Sequence, residues 1–104
     1  MLNVNEHGQP GRPTLLIAHG LFGSGRNWGA IGKRLSDAFH VLAPDMRNHG
    51  DSPWFDSQSY PEMADDLAGL LDGPADVVGH SMGGKAARML ALTRPDLVRR
   101  LVVA

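Results

Sequence analysis

Apolar residues are concentrated in four short runs, at residues 14–18, 41–43, 76–79 and 101–104. Each run is too short for a helix and is rich in Val, Leu or Ile. Runs of this length without polar alternation are typical of strands that are buried on both faces of a parallel sheet. We therefore predict four strands of one parallel sheet.

The segments between these runs carry apolar residues at helical spacing. One stripe holds positions 28, 31 and 35, and a second holds positions 63, 67, 70 and 71. The second helix has a start signal, because Ser59 and Glu62 form an S-x-x-E capping box with Pro61 in the first turn. We predict that Gly73 and Pro74 end this helix.

A third helix is predicted to follow Ser81 and to run to about Arg94, where Pro95 ends it. Its inward face is expected to hold four residues: Ala86, Met89, Leu90 and Thr93. The order is then β-α-β-α-β-α-β, which with right-handed crossovers gives a doubly wound α/β sheet. The functional loops of such a sheet follow the carboxyl ends of its strands, after residues 18, 43 and 79.

Residues 79–83 read Gly-His-Ser-Met-Gly and fit the pattern G-x-S-x-G. In this pattern a serine sits on a sharp strand-to-helix turn that only small neighbours allow. The pattern alone is weak, since a serine before a helix is often only an N-cap. Here a buried strand precedes it and a helix with small early residues follows it, so we predict that Ser81 is a nucleophile.

Composition narrows the classes of function. Ten basic and eleven acidic side chains give a formal net charge of -1, and no Lys/Arg-rich block is present. We therefore expect neither nucleic acid nor a membrane surface as a partner. The absence of cysteine excludes disulfides and thiolate chemistry. The first 13 residues lack the pattern of a secretory signal, and we expect a cytoplasmic protein.

Cofactor and metal sites are not indicated by the spacing of residues. The glycine-rich segment 20–29 contains neither G-x-x-x-x-G-K-[ST] nor a clean G-x-G-x-x-G. The five histidines include no H-x-x-x-H pair. We expect a small-molecule substrate, no cofactor and no metal.

Three motifs together resemble the α/β-hydrolase superfamily: His19-Gly20, D-x-R-N-H-G-x-S at 45–52, and G-H-S-M-G-G-K at 79–85. The branch that the chain resembles is that of small bacterial esterases and thioesterases and mitochondrial abhydrolase-domain esterases. The resemblance implies that strand 14–18 lies between strands 41–43 and 76–79 and parallel to both. The family fold is roughly twice this length or more. Residues 1–104 are thus expected to form a truncated, nucleophile-bearing N-terminal portion of that fold.

The resemblance also implies an oxyanion hole made of backbone N–H groups. One is that of Met82, and the other comes from the loop after His19-Gly20, from Leu21 or else Phe22. Backbone donors suit this task because they are fixed before negative charge develops. The alternative for His19-Gly20 is a tight turn without a role in catalysis.

Other polar and aromatic residues near the predicted site are expected to support it. Asp45, Arg47 and His49 should brace their loop through ion pairs and hydrogen bonds. His80 adjoins Ser81, but neighbours on a tight turn point apart, so we do not expect His80 to be the base. Four aromatic residues either line an acyl pocket or pack in the core or at the rim: Phe22, Trp28, Trp54 and Phe55.

The catalytic acid and base expected for this family are missing. An α/β hydrolase supplies its triad in the order Ser, Asp or Glu, then His. After Ser81 the chain has one acidic residue, Asp96, and no histidine. The function implied is acyl ester or thioester hydrolysis through an acyl-Ser81 intermediate in a longer parent, this chain alone being inactive. A carbon–carbon hydrolase or lyase, and a non-catalytic binding protein on the same scaffold, stay open.

Overall fold

A single five-stranded sheet forms the centre of the computed structural model, which describes residues 1–104. The strands are β1 (Val4–His7), β2 (Thr14–Ala18), β3 (His40–Pro44), β4 (Ala75–Gly79) and β5 (Val98–Val103). Their order is β1-β3-β2-β4-β5, and β2 to β5 are parallel. The predicted parallel sheet is confirmed, with β2 between β3 and β4.

Strand β1 is an element that the sequence analysis missed. It pairs antiparallel with β3 at the edge of the sheet, with Val4 opposite Pro44 and His7 opposite Val41. Edge strands face solvent along one side, so they can be short and polar and need no apolar run. The four residues of β1 include one aliphatic side chain, which explains why no hydrophobic pattern marks it.

Three helices cover the sheet: α1 (Gly29–Leu35), α2 (Tyr60–Ala68) and α3 (Met82–Thr93). Short 3-10 turns precede α1 and β5, at Gly25–Trp28 and Pro95–Leu97. The capping box at the start of α2 is confirmed, since Ser59 accepts from the Glu62 N–H and Glu62 accepts from the Ser59 N–H. None of these helices has the length and apolar character needed to span a bilayer.

Two helix predictions were wrong in detail. Helix α2 ends at Ala68 with Gly69 as its C-cap, ahead of the predicted stop at Gly73 and Pro74. The apolar spacing continues past that end because Leu70 and Leu71, although outside the helix, still pack against the core. On α3, Thr93 is exposed and donates to the Met89 carbonyl, so it does not lie on the inward face.

The apolar stripe predicted for the first helix is also only partly correct. Trp28 lies in the 3-10 turn before α1, and Ile31 is 45% exposed. The buried residue of α1 is Gly32, against which the His7 ring packs so closely that a Cβ there would lie 2.5 Å from its Cδ2. A glycine that admits a neighbouring ring carries no hydrophobic signal, so the pattern missed Gly32, although Trp28 and Leu35 do pack against the core.

The larger part of the core lies between the sheet and helices α2 and α3. It contains twelve buried apolar residues, among them the fully buried Leu16 and Leu90. A smaller cluster fills the other face, with Trp28 and Leu35 packed against it. Burying one such leucine side chain contributes about 1.5–3 kcal/mol. This packing fixes β2 and β4, whose carboxyl ends carry the candidate site.

Candidate active site

Ser81 lies on the turn between β4 and α3 with its side chain exposed. Its backbone has φ 53° and ψ -114°, a conformation that a residue with a Cβ adopts only at a cost. Ser81 makes no side-chain hydrogen bond to cap α3. The N-cap interpretation of this serine therefore lacks its defining bond, while the geometry is that of the sharp strand-to-helix turn of the G-x-S-x-G pattern.

The glycines of the motif are required by close backbone contacts around this turn. A Cβ on Gly79 would lie 2.6 Å from the Gly83 carbonyl oxygen. A Cβ on Gly83 would lie 2.2 Å from the carbonyl oxygen of Ala18, at the end of β2. The first turn of α3 thus rests directly on the main chain of β2, and this contact sets the position of Ser81.

The backbone N–H groups of Leu21 and Met82, both near Ser81, have no hydrogen-bond acceptor within the chain. The Met82 N–H opens the N-terminus of α3, where helix N–H groups point outward and the helix dipole favours negative charge. The N–H of Phe22 is already occupied, because it donates to Nε2 of His49 over 3.0 Å. Of the two candidates in this loop, Leu21 is therefore the one with a free donor.

Two buried histidines hold the loops beside Ser81. His19 Nδ1 lies 2.7 Å from the Gly20 carbonyl, and its Nε2 accepts from the Met46 N–H over 2.9 Å. His49 uses the same scheme, with Nδ1 2.8 Å from the Arg47 carbonyl. A carbonyl can only accept, so Nδ1 is the donor and Nε2 the acceptor in both rings. Their ring centres are 5.1 Å apart.

Burial lowers the pKa of His19 below its ordinary value of 6.5, and the nearby His49 acts in the same direction. The His19 side chain therefore binds a proton less tightly in the folded chain than in the unfolded chain. Its contribution to the free energy of unfolding is present above pH 6.5 and is lost as the pH falls. We expect the free energy of unfolding to decrease between pH 6.5 and 5.5, by up to about 1.4 kcal/mol per pH unit.

Urea unfolding at pH 7.5, 6.5 and 5.5 measures this dependence. His19→Gln, which keeps an acceptor for the Met46 N–H but does not titrate, is expected to flatten it. His80→Gln is the matched control, since His80 is exposed. Equal slopes for the wild type and His19→Gln would contradict the prediction.

Asp45 is a buried hydrogen-bond acceptor that joins three segments. It accepts from the backbone N–H groups of Gly25 and Asp51, at 2.8 and 2.9 Å, and from the Asn3 amide at 3.0 Å. Burial alone would raise the pKa of Asp45, but these hydrogen bonds outweigh it and hold the pKa below its ordinary value. A carboxylate so placed orders the loop and is not available as a base.

Arg47 joins the loop after β3 to helix α2. Its guanidinium donates to both carboxylate oxygens of Asp66, at 2.7 and 3.0 Å, and to Glu62 at 3.1 Å. Its charged end lies 4.5 Å from the centre of the Phe55 ring. Arg47 thereby holds both α2 and the aromatic rim of the site in place.

Neither His80 nor Asp96 is hydrogen-bonded to Ser81. The His80 ring is exposed, packs beside Gly20 and meets Trp28 edge-on at 6.2 Å, and no hydrogen bond joins it to Ser81. Asp96 pairs with Arg94 on the surface at the far end of α3. No group of three His, Asp or Glu side chains is arranged to hold a metal ion.

Two open cavities lie next to each other, and one of them contains Ser81. One, of about 370 Å³, is lined by Leu21, Gln58, Tyr60, Met63, Ser81, Met82 and Lys85. The other, of about 350 Å³, is lined by Leu21, Phe22, Asn48, His49, Trp54, Phe55 and Gln58. Leu21 and Gln58 border both. Three of the four aromatic candidates thus lie at this second cavity, while Trp28 borders a separate one with His80.

Sequence reasoning assigned no role to three of these lining residues, Gln58, Tyr60 and Lys85. Tyr60 is the first residue of α2 and Gln58 lies two residues before it, and no motif marks either. A signal did exist for Lys85, because residues four apart on a helix share a face and Lys85 follows Ser81 by four. The structure brings all three to the cavity that contains Ser81.

Comparison with known proteins agrees with this geometry. A family model described as alpha/beta hydrolase fold matches residues 13–104. The sn-1-specific diacylglycerol lipase ABHD11 of Mus musculus is 50% identical over 97 residues, covering 88% of this chain and 32% of that protein. Esterase YbfF of Escherichia coli K12 is 40% identical over 102 residues, covering 94% and 39%.

A solved structure of a marine microorganism esterase gives a TM-score of 0.90 at 41% identity. The match covers 99% of this chain and 41% of that one. The chain thus spans between 32% and 41% of the length of these proteins. With its parallel sheet, its strand-turn-helix at Ser81 and relatives that are esterases and lipases, the chain belongs to the α/β-hydrolase family.

Proposed function

We propose that this chain is the nucleophile-bearing part of a serine hydrolase that cleaves acyl esters or thioesters. The observation that carries the proposal is the geometry of Ser81. Its hydroxyl is exposed at the carboxyl end of β4, on a strained turn. The N–H of Met82, the next residue, and that of Leu21, which lines the same cavity, have no acceptor. Such an arrangement presents a nucleophile together with a site for developing negative charge.

The proposed reaction has two steps. A general base takes the Ser81 proton while Oγ attacks the carbonyl carbon, and the N–H groups of Leu21 and Met82 stabilise the oxyanion. The alcohol or thiol leaves with a proton, and water then releases the acid from acyl-Ser81 by the same route. We assign the second oxyanion donor to Leu21 because the Phe22 N–H is held by His49.

The base is proposed to lie outside residues 1–104. No histidine follows Ser81 here, and in α/β hydrolases the acid and the histidine follow the nucleophile along the chain. We use the term full-length parent for a chain of the relatives' length that contains these residues. In it, a downstream histidine would reach Ser81 Oγ.

The acyl group is proposed to enter the cavity lined by Phe22, Trp54 and Phe55. These side chains are 91%, 72% and 49% exposed, and they border a cavity that shares Leu21 and Gln58 with the one at Ser81. Burying aromatic surface under an alkyl chain supplies binding energy in proportion to the area covered. The apolar part of an acyl ester fits this wall.

A fluorophosphonate probe tests the proposal, since it labels serines activated as nucleophiles. We expect the full-length parent to be labelled and Ser81→Ala to lose labelling and ester turnover completely, because no other hydroxyl occupies the elbow. Ser36→Ala is the control, since Ser36 caps α1 away from the site. Labelling that persists in Ser81→Ala would refute the nucleophile. Ser81-dependent labelling without turnover of any ester or thioester would favour carbon–carbon bond cleavage instead.

A further inference from the structure

Lys85 lies one helical turn after Ser81 and borders the same cavity. Its ammonium nitrogen is 5.9 Å from the centre of the Tyr60 ring, which also lines that cavity. Attraction between the cation and the ring face favours this position over one further out in solvent. The positive charge is therefore held at the wall of the space that a substrate of Ser81 would occupy.

No carboxylate neutralises this charge. The six ion pairs of the structure do not include Lys85. On the neighbouring helix α2, Glu62 and Asp66 are both bound to Arg47. Among the residues that line the cavity, Lys85 is the one with a charge, and the other polar side chains there are Gln58, Tyr60 and Ser81. Lys85 thus supplies the charge on the wall of the cavity next to Ser81.

We propose that Lys85 is a specificity-determining residue that favours esters or thioesters carrying a negatively charged group near the scissile carbonyl. This inference rests on the proposed function of Ser81. An ammonium at the wall of the cavity attracts an anion bound there, and because Lys85 is exposed this attraction is modest and is screened by salt. The anion can belong to the acyl group or to the leaving group, and both place it within the same cavity.

The test compares kcat/KM for three esters in the full-length parent. They are 4-nitrophenyl butyrate, which is neutral, 4-nitrophenyl hemisuccinate, charged on the acyl side, and 3-carboxyphenyl butyrate, charged on the leaving group. We expect Lys85→Met to lower the ratio of anionic to neutral ester about fivefold for one of the charged esters. The ester that is affected identifies the side on which the charge binds.

Two matched variants separate charge from structure. Lys85→Arg keeps the cation and is expected to keep the ratio. Arg88→Met removes one positive charge from an exposed position of the same helix that borders no cavity, and it too should keep the ratio. Added salt should lower the wild-type ratio and leave that of Lys85→Met unchanged.

Unchanged ratios for both charged esters in Lys85→Met would overturn the inference, as would an equal loss in Arg88→Met. These outcomes differ from failure of the proposed function. That failure would appear as labelling or turnover surviving in Ser81→Ala, whatever Lys85 does.

Discussion

The 104-residue chain, purified alone, is expected to show essentially no turnover of a 4-nitrophenyl ester above background. A serine hydroxyl without a base is a poor nucleophile near neutral pH, and loss of the histidine from such a triad costs on the order of a million-fold in kcat. The proposed oxyanion donors alone would accelerate the reaction by about 10³ to 10⁴ over water. Spontaneous hydrolysis of an activated ester conceals an acceleration of that size.

The positions of the five histidines support this expectation. His19 and His49 are buried with both ring nitrogens bound, and His80 makes no bond to Ser81. His7 and His40 lie at the other end of the strands, at the end of β1 and the start of β3. A spectrophotometric assay on a monodisperse preparation, with Ser81→Ala as control, is the measurement. Robust turnover that depends on Ser81 would reveal a base among these residues and refute our assignment of it to another part of the protein.

Gly83→Ala is expected to destabilise the fold by about 3 kcal/mol, because one added methyl group meets the main chain of a central strand. The new Cβ would lie 2.2 Å from the Ala18 carbonyl oxygen and 2.5 Å from that of His19. Neither oxygen can rotate away, since both belong to the backbone. Relief requires α3 to move off β2, and Ser81 would move with it.

Urea unfolding of the variant and the wild type measures the loss, and fluorophosphonate labelling reports the position of Ser81. Gly29→Ala is the matched control, because Gly29 is also helical and a Cβ there meets nothing within 4 Å. That change should stabilise the protein by about 0.5–1 kcal/mol. Similar stabilities for Gly83→Ala and Gly29→Ala would show that the contact with β2 is not rigid.

The parallel strands could be predicted because burial on both faces demands continuous apolar sequence. Strands β2 and β4 satisfy that demand, and their order in the sheet follows from the family resemblance. Strand β1 was not predicted because a strand at the edge of a sheet does not need a continuous apolar sequence. The end of α2 at Ala68 could not be predicted either, because residues beyond a helix can still pack on the core.

The candidate site could be predicted where backbone geometry restricts the residue type. The elbow needs small residues at 79 and 83, and those glycines are visible in the sequence. The choice between Leu21 and Phe22 could not be made, since it depends on a hydrogen bond from Phe22 to His49, 27 residues further along. The cavity wall formed by Gln58 and Tyr60 likewise depends on how α2 packs against α3.

The strained backbone at Ser81 sets chemistry and folding against each other at one position. Glycine adopts a φ of 53° readily, whereas a serine held there raises the free energy of the folded chain by about 1–3 kcal/mol. The proposed role of Ser81 as a nucleophile accounts for a residue with a Cβ at a position where glycine would fold at lower cost. A sequence redesign scored only on folding energy would favour glycine at position 81, because the strain comes from the Cβ and glycine has none.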